Sequence, residues 1–213
     1  PLTIPVEQVT DFIISENQVF SDVNITENGL WAKVYGIELS YNQFFDNGLF
    51  VQSNATFQTS ESKLPDTVRR GTVSLPQQAD VTANLTIGWE NDDYSARLIG
   101  NYRSKVRQTV AYCPTDAVMD EIVKQALEDG EVIYPEQKCK DWYDQFQDDI
   151  FTLDFKAKAK LFDGFQVYFD AVNLTDNVDL KYFEGGDITK GPMLYQSEEY
   201  GRTFQVGFNY KFY

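Results

Sequence analysis

The chain has 213 residues, 42% of them hydrophobic and 15% aromatic, including 13 Tyr and 16 Phe. Its mean hydropathy is −0.41 and no apolar run approaches the length of a membrane-spanning helix. A net charge of −15 argues against nucleic acid as a partner, and the absence of histidine removes the commonest general base and metal ligand.

The elements are legible by period. Ile4 to Ile14 alternates poorly and contains Pro5. Trp31 to Asn42 and Leu49 to Thr59 alternate loosely and meet across Asp46-Asn47-Gly48, the chemistry of a tight hairpin. A long connection, Ser60 to Ala79, leads to Val81–Trp89, where Val81, Ala83, Leu85, Ile87 and Trp89 oppose Thr82, Asn84, Thr86 and Gly88. After the short link Glu90 to Asp93, Tyr94 to Val106 sets Tyr94, Ala96, Leu98 and Tyr102 against Ser95, Arg97, Asn101, Arg103 and Lys105. The longest connection, Arg107 to Asp149, comes next. Phe151 to Leu161 then faces Phe, Leu and Ala one way and Thr152, Asp154, Lys156, Lys158 and Lys160 the other. Phe162-Asp163-Gly164 turns into Phe165–Leu174, Thr175 to Glu199 is another long connection, and Tyr200 to Tyr213 closes the chain. In this last stretch Phe204, Val206, Phe208, Tyr210 and Phe212 hold a period of two against Thr203, Gln205, Gly207, Asn209 and Lys211.

Soluble strands usually run to five or six residues, whereas a tilted strand needs roughly nine to eleven to cross a bilayer. Long strands with tight turns at one end and long loops at the other predict an all-β, antiparallel transmembrane barrel segment of seven or eight strands. Trp89, Tyr94, Phe165, Tyr210 and Phe212, with Phe44, Phe45 and Phe50, gather at the tight-turn end and predict an interfacial aromatic girdle. A soluble sandwich also alternates and is the competing reading.

The long loop, residues 107–149, has its own features. Thr115-Asp116 predicts the start of a helix from Ala117 to Glu128, with Gly130 as its stop. Cys113 and Cys139 bracket it, and in an oxidising compartment a disulfide there contributes about 3 kcal/mol on the chain-entropy model. Its many carboxylates, Asp144, Asp148 and Asp149 among them, read as a solvated acidic surface. Tyr134, Trp142, Tyr143 and Phe146 either offer flat faces to a ligand or pack a small core of the loop, and the sequence leaves both open. Arg97, Arg103, Lys105, Lys156, Lys158 and Lys160 form a basic wall on the polar side, suited to an anionic substrate or to ion pairing within a polar lumen. No nucleophile–base pair, phosphate loop or metal-ligand spacing is present, so neither catalysis nor a metal or cofactor is expected.

Three stretches resemble the C-terminal part of TonB-dependent outer-membrane receptors: Val34-Tyr35-Gly36-Ile37-Glu38-Leu39, Asp170-Ala171-Val172-Asn173-Leu174-Thr175-Asp176-Asn177, and Gly201-Arg202-Thr203-Phe204 through Phe212. The resemblance implies one domain over residues 1–213, part of a barrel of about 22 strands with a plugged lumen. The plug and earlier strands, absent here, would be its partners, as would outer-membrane lipid, lipopolysaccharide and the TonB coupling protein. It implies nutrient uptake, of a ferric siderophore, cobalamin, sugar or similar, at the outer membrane of a Gram-negative bacterium. A complete eight-stranded barrel acting structurally or as an adhesin, and a secreted carbohydrate-binding β-sandwich, are the other readings.

Overall fold

A computed structural model describes residues 29–65, 68–69, 71–111, 120–121, 124–125, 127–130, 143–184 and 192–212. The chain is all-β. Its strands are β1 (Trp31–Phe44), β2 (Leu49–Lys63), β3 (Thr72–Val73), β4 (Val81–Glu90), β5 (Tyr94–Arg103), β6 (Val106–Thr109), β7 (Asp144–Gln147), β8 (Ile150–Phe162), β9 (Phe165–Val172), β10 (Val178–Glu184), β11 (Met193–Glu199) and β12 (Thr203–Tyr210). The first sheet runs β1-β2-β4-β5-β8-β9-β12, antiparallel throughout, with β3 appended to β2. The stretch Ile4 to Ile14 lies outside the described residues.

Seven strands from the alternation are present, several longer than expected. β2 runs on to Lys63, 15 residues in all, and β1 to Phe44. The pairing register then does something no single strand can. Partners directly across an antiparallel ladder share a face. Following partners across the sheet puts Leu39, Ala55, Ala83, Tyr102 and Phe151 in one row, and Val51, Ile87, Leu98, Phe155, Ala171 and Phe204 in another. All apolar stripes therefore fall on one face, and the polar stripes on the other. That apolar face is open: Ile37 is 65% exposed, Phe208 68% and Val206 77%.

The rows also climb. The row that crosses β2 at Phe50 continues through Gly88, Arg97, Lys156 and Asp170 to Gln205. It meets β2 at that strand's second residue, β5 at its fourth and β9 at its sixth, all three strands having just left a tight turn. This one-directional stagger is the shear that inclined strands of a curved sheet carry. Among the described residues β1 and β12 each have one unpaired edge, so the sheet is an open arc and no closed barrel is formed.

Two expectations at the turns need correction. Phe44 and Phe50 pair with each other on the polar face, not with the aromatics of the apolar face. Phe50 is buried, stacked 5.7 Å from Phe44 and lying over Gly88, where an added Cβ would fall inside its ring. Tyr168 covers Gly207 on β12 in the same way. Trp89, Tyr94, Phe165 and Tyr210 do share the apolar face, and Phe165 contacts Phe162, Phe208 and Tyr210 at 4.9, 5.7 and 6.2 Å. Phe212 packs edge-on to Tyr210 at 4.6 Å.

The second sheet, β11-β10-β7-β6, lies almost entirely within the stretches expected to be long connections, Arg107 to Asp149 and Thr175 to Glu199. β6 follows β5 after two residues, β7 leads into β8, β10 follows β9 and β11 leads into β12. Its order matches that of β12-β9-β8-β5, so four strands of the first sheet resume beyond a break at one end. The expected strand Tyr94–Val106 is thus interrupted after Arg103, and Phe165–Leu174 ends at Val172. Of the predicted helix, Asp120, Glu121, Lys124, Gln125, Leu127 and Glu128 are helical, and Gly130 ends it at φ 75°.

Gly88→Ala and Gly207→Ala are each expected to lower stability by about 1–3 kcal/mol, since the ring above must leave its position. Gly100→Ala, whose Cβ meets nothing nearer than 3.6 Å, serves as the tolerated control. Urea midpoints of the three variants check this; equal midpoints would refute the role given to the two covered glycines.

Candidate functional site

The break between the sheets is built by residues of the second and third resembling stretches. Asn173 and Asp176 adopt left-handed backbone, at φ 57° and 55°, which Asn and Asp tolerate better than most residues. The Asn173 amide donates to Asp154 Oδ1 at 2.8 Å, and its side-chain Nδ2 to the Gly201 carbonyl at 3.0 Å. Asn177 donates its amide to Asn173 Oδ1 and accepts the Phe151 amide on its own Oδ1. Thr175 Oγ1 donates to the Phe151 carbonyl, and Arg202 Nε to the Leu174 carbonyl. These bonds hold the segment leaving β9 against β8 and against the segment that leads into β12.

Lys105 organises the next layer. Its ammonium lies 4.6 Å from the Phe146 ring centroid, 5.7 Å from that of Tyr182, and 2.9 Å from Glu184 Oε1. Burial, the largest single influence, would lower its pKa, but the hydrogen bonds and charges of Glu184 and Tyr182 together outweigh it and the net shift is upward. The Tyr182 hydroxyl is also pushed up, mainly by burial and further by Glu184 and Asp148, with Lys105 opposing.

Beyond it lies a buried ionic node. Asp144, fully buried, accepts from Arg69 Nη2 at 2.6 Å, from Arg107 Nη1 and from the Ala111 amide at 2.8 Å. Arg107 Nε also donates to Ser74 Oγ at 3.1 Å, and the Arg107 carbonyl accepts the Gln77 amide at 2.6 Å. The connection after β2 is thereby tied to β6 and β7. Sequence reasoning placed Asp144 on a solvated acidic surface; burial between two guanidiniums overturns that.

The predicted site residues separate. Phe146 is buried and stacked on Tyr182 at 6.1 Å, so it packs the loop sheet and offers no face to a ligand. Tyr143 is 40% exposed and meets Phe183 at 6.3 Å. Arg103 donates to the Asp148 carbonyl at 3.4 Å and Lys105 is held by Glu184, so both act at the break. Arg97 stays on the polar face of the first sheet, directly opposite Lys156. Tyr134, Trp142, Cys113 and Cys139 lie outside the described residues. Sequence reasoning missed Arg69, Tyr182 and Glu184, which carry no local motif and come together only through strand pairing.

Among the described residues no group of three His, Cys, Asp or Glu is placed to hold a metal ion. No helix among them is long and apolar enough to cross a membrane, which bears on helices alone. No protein-family model, curated protein or solved structure matches the chain.

Asp144→Asn leaves two buried guanidiniums without their carboxylate and is expected to cost about 3–5 kcal/mol. Limited trypsin digestion checks it: cleavage after Arg69 should speed up while the first sheet stays resistant, and an unchanged rate would remove Asp144 from this role. The folded pKa of Lys105 lies above its unfolded value, so its contribution is complete below the ordinary lysine value of 10.5 and is lost as pH rises through the folded value. Glu184→Gln is expected to flatten that alkaline loss in a urea-midpoint series across pH; an identical slope would contradict the pairing.

Proposed function

We propose that this chain is part of the wall of an outer-membrane β-barrel that takes up a nutrient as a TonB-dependent receptor, and that it is not an enzyme. The observation that carries the reading is the single apolar face spread across seven staggered strands. Contiguous exposed apolar surface of this extent marks contact with a partner or a membrane. Large side chains such as Ile37, Leu39, Phe204, Val206 and Phe208 lie along it with no second layer of described strands above them. A bilayer covers such a face while the polar face keeps its water, and the shear of the rows is what closure of inclined strands requires. A sandwich needs a second sheet stacked on the first. Here the second sheet instead prolongs four strands of the first, which favours the barrel.

The receptor assignment is finer and rests on the resembling stretches. Two of them are bonded to each other: Asn173 Nδ2 donates to Gly201, and Arg202 pairs with Asp176 at 3.7 Å besides reaching Leu174. In this reading the tight turns face the periplasm and the loop sheet faces outward. Further strands complete the arc, and substrate arrives at the loop-sheet end.

Expression in a Gram-negative host with a secretory leader tests the class. The expected result is recovery of the chain in the outer-membrane fraction, extractable only with detergent. Recovery as a soluble periplasmic protein would overturn it.

A further inference from the structure

We propose that Arg97, Lys156 and Lys158 form a binding track for a small multivalent oxyanion, a carboxylate or phosphate, on the polar face of the first sheet. The chain holds 33 acidic residues against 18 basic ones, so a cation has no shortage of partners. Several cations elsewhere find them, though among the described residues Arg103 and Lys33 do not: Lys105 with Glu184, Lys160 with Asp163, Lys181 with Glu198, Arg202 with Asp176, and Arg69 and Arg107 with Asp144. Among the described residues no carboxylate lies within ion-pair distance of Arg97, Lys156 or Lys158.

Two of the nearby carboxylates are engaged elsewhere. Asp154, on the same face of β8, accepts the Asn173 amide. Asp163 pairs with Lys160 at 3.0 Å. Asp170 faces Lys156 directly from β9, as Arg97 does from β5, but forms no ion pair with it, and Glu90 is separated from Lys158 by Ser95. Arg97 and Lys156 directly face each other across β5 and β8, an arrangement that destabilises a ladder when nothing neutralises it. Their Cβ atoms are roughly 5 Å apart as cross-strand partners. Lys158 stands roughly 7 Å further along β8, two residues at strand rise. Besides Asp170 and Asp154, the surrounding positions are small or neutral: Gly88 beside Arg97, Ser95 and Tyr168 on either side of Lys158. Three cations at these spacings on a firm ladder match the reach of a compact anion with two or three charged groups, which would relieve the Arg97–Lys156 repulsion on binding. The inference rests on the membrane-barrel reading in one respect, that the polar face is the one turned to water.

The experiment is isothermal titration of the full chain, folded in neutral detergent at low ionic strength, with citrate and separately with pyrophosphate. Saturable binding of either anion is expected, and which of the two binds identifies the ligand class. Arg97→Gln and the double variant Lys156→Gln/Lys158→Gln should each weaken it tenfold or more. Lys33→Gln, which removes one charge from the opposite face, should leave it unchanged. Without anion, Lys156→Gln should be at least as stable as the parent chain to urea, which separates lost binding from lost folding. Absence of saturable binding by both anions would overturn the proposal, as would an equal loss in Lys33→Gln. Binding of citrate by a chain that needs no detergent would uphold the track and sink the membrane reading instead.

Discussion

Register parity is the constraint on which the rest depends. In a strand the side chains alternate, so each ladder either aligns the apolar stripes of its two strands or opposes them. Six successive ladders align them here, from β1 to β12. One misaligned ladder would divide the hydrophobic surface between both faces, leaving neither suited to lipid and neither suited to water. The tight turns at Asn47-Gly48 and Asp163-Gly164 hold this parity locally. Gly48 and Gly164 take φ of 86° and 81°, conformations that favour glycine.

At the other end a different device takes over. The strands that continue past the break have short, bulged ladders, and their cohesion comes from side chains. Gln147 Nε2 reaches Asp179 at 2.7 Å, Gln108 Nε2 reaches Gln147 at 2.8 Å, and Tyr200 donates to Glu198 at 2.8 Å. The Glu198 carboxyl is held below its ordinary range by that hydroxyl first and by the Lys181 charge second. Together with the Asp144 node, this makes the second sheet a polar, ion-paired assembly that continues strands whose other portions carry one apolar face.

How much of this was legible follows from what each signal depends on. The seven long strands were readable because the alternation of apolar and polar residues repeats over seven or more residues, as in Phe204 to Tyr210 and Val81 to Trp89. Near the first turn, Gln43-Phe44-Phe45-Asp46-Asn47-Gly48-Leu49-Phe50 is apolar on both parities, so the face of Phe50 could not be told in advance. β10 and β11 were missed because each has seven residues, a bulge at Lys181/Tyr182 and polar side chains whose partners lie on other strands. Arg97 lies on the polar face, directly opposite Lys156. Arg103 and Lys105, three residues and one residue before the end of the same expected strand at Val106, were not separable from it, since the break after Arg103, where Ser104 bonds to Val81 of β4, depends on strand pairing that the alternation does not show.

The two covered glycines bear on a hazard that parity cannot remove. A slip of one residue inverts a strand and is penalised along its whole length, but a slip of two restores every face and leaves the binary pattern intact. At Gly207 such a slip would bring Gln205 or Asn209 beneath the Tyr168 ring, and at Gly88 it would bring Thr86 or Glu90 beneath Phe50. Each of those residues carries a Cβ where the ring must lie. A missing side chain thus works as a notch that accepts one alignment among those the hydrophobic pattern cannot distinguish, on the last strand of the sheet and again beside its first tight turn.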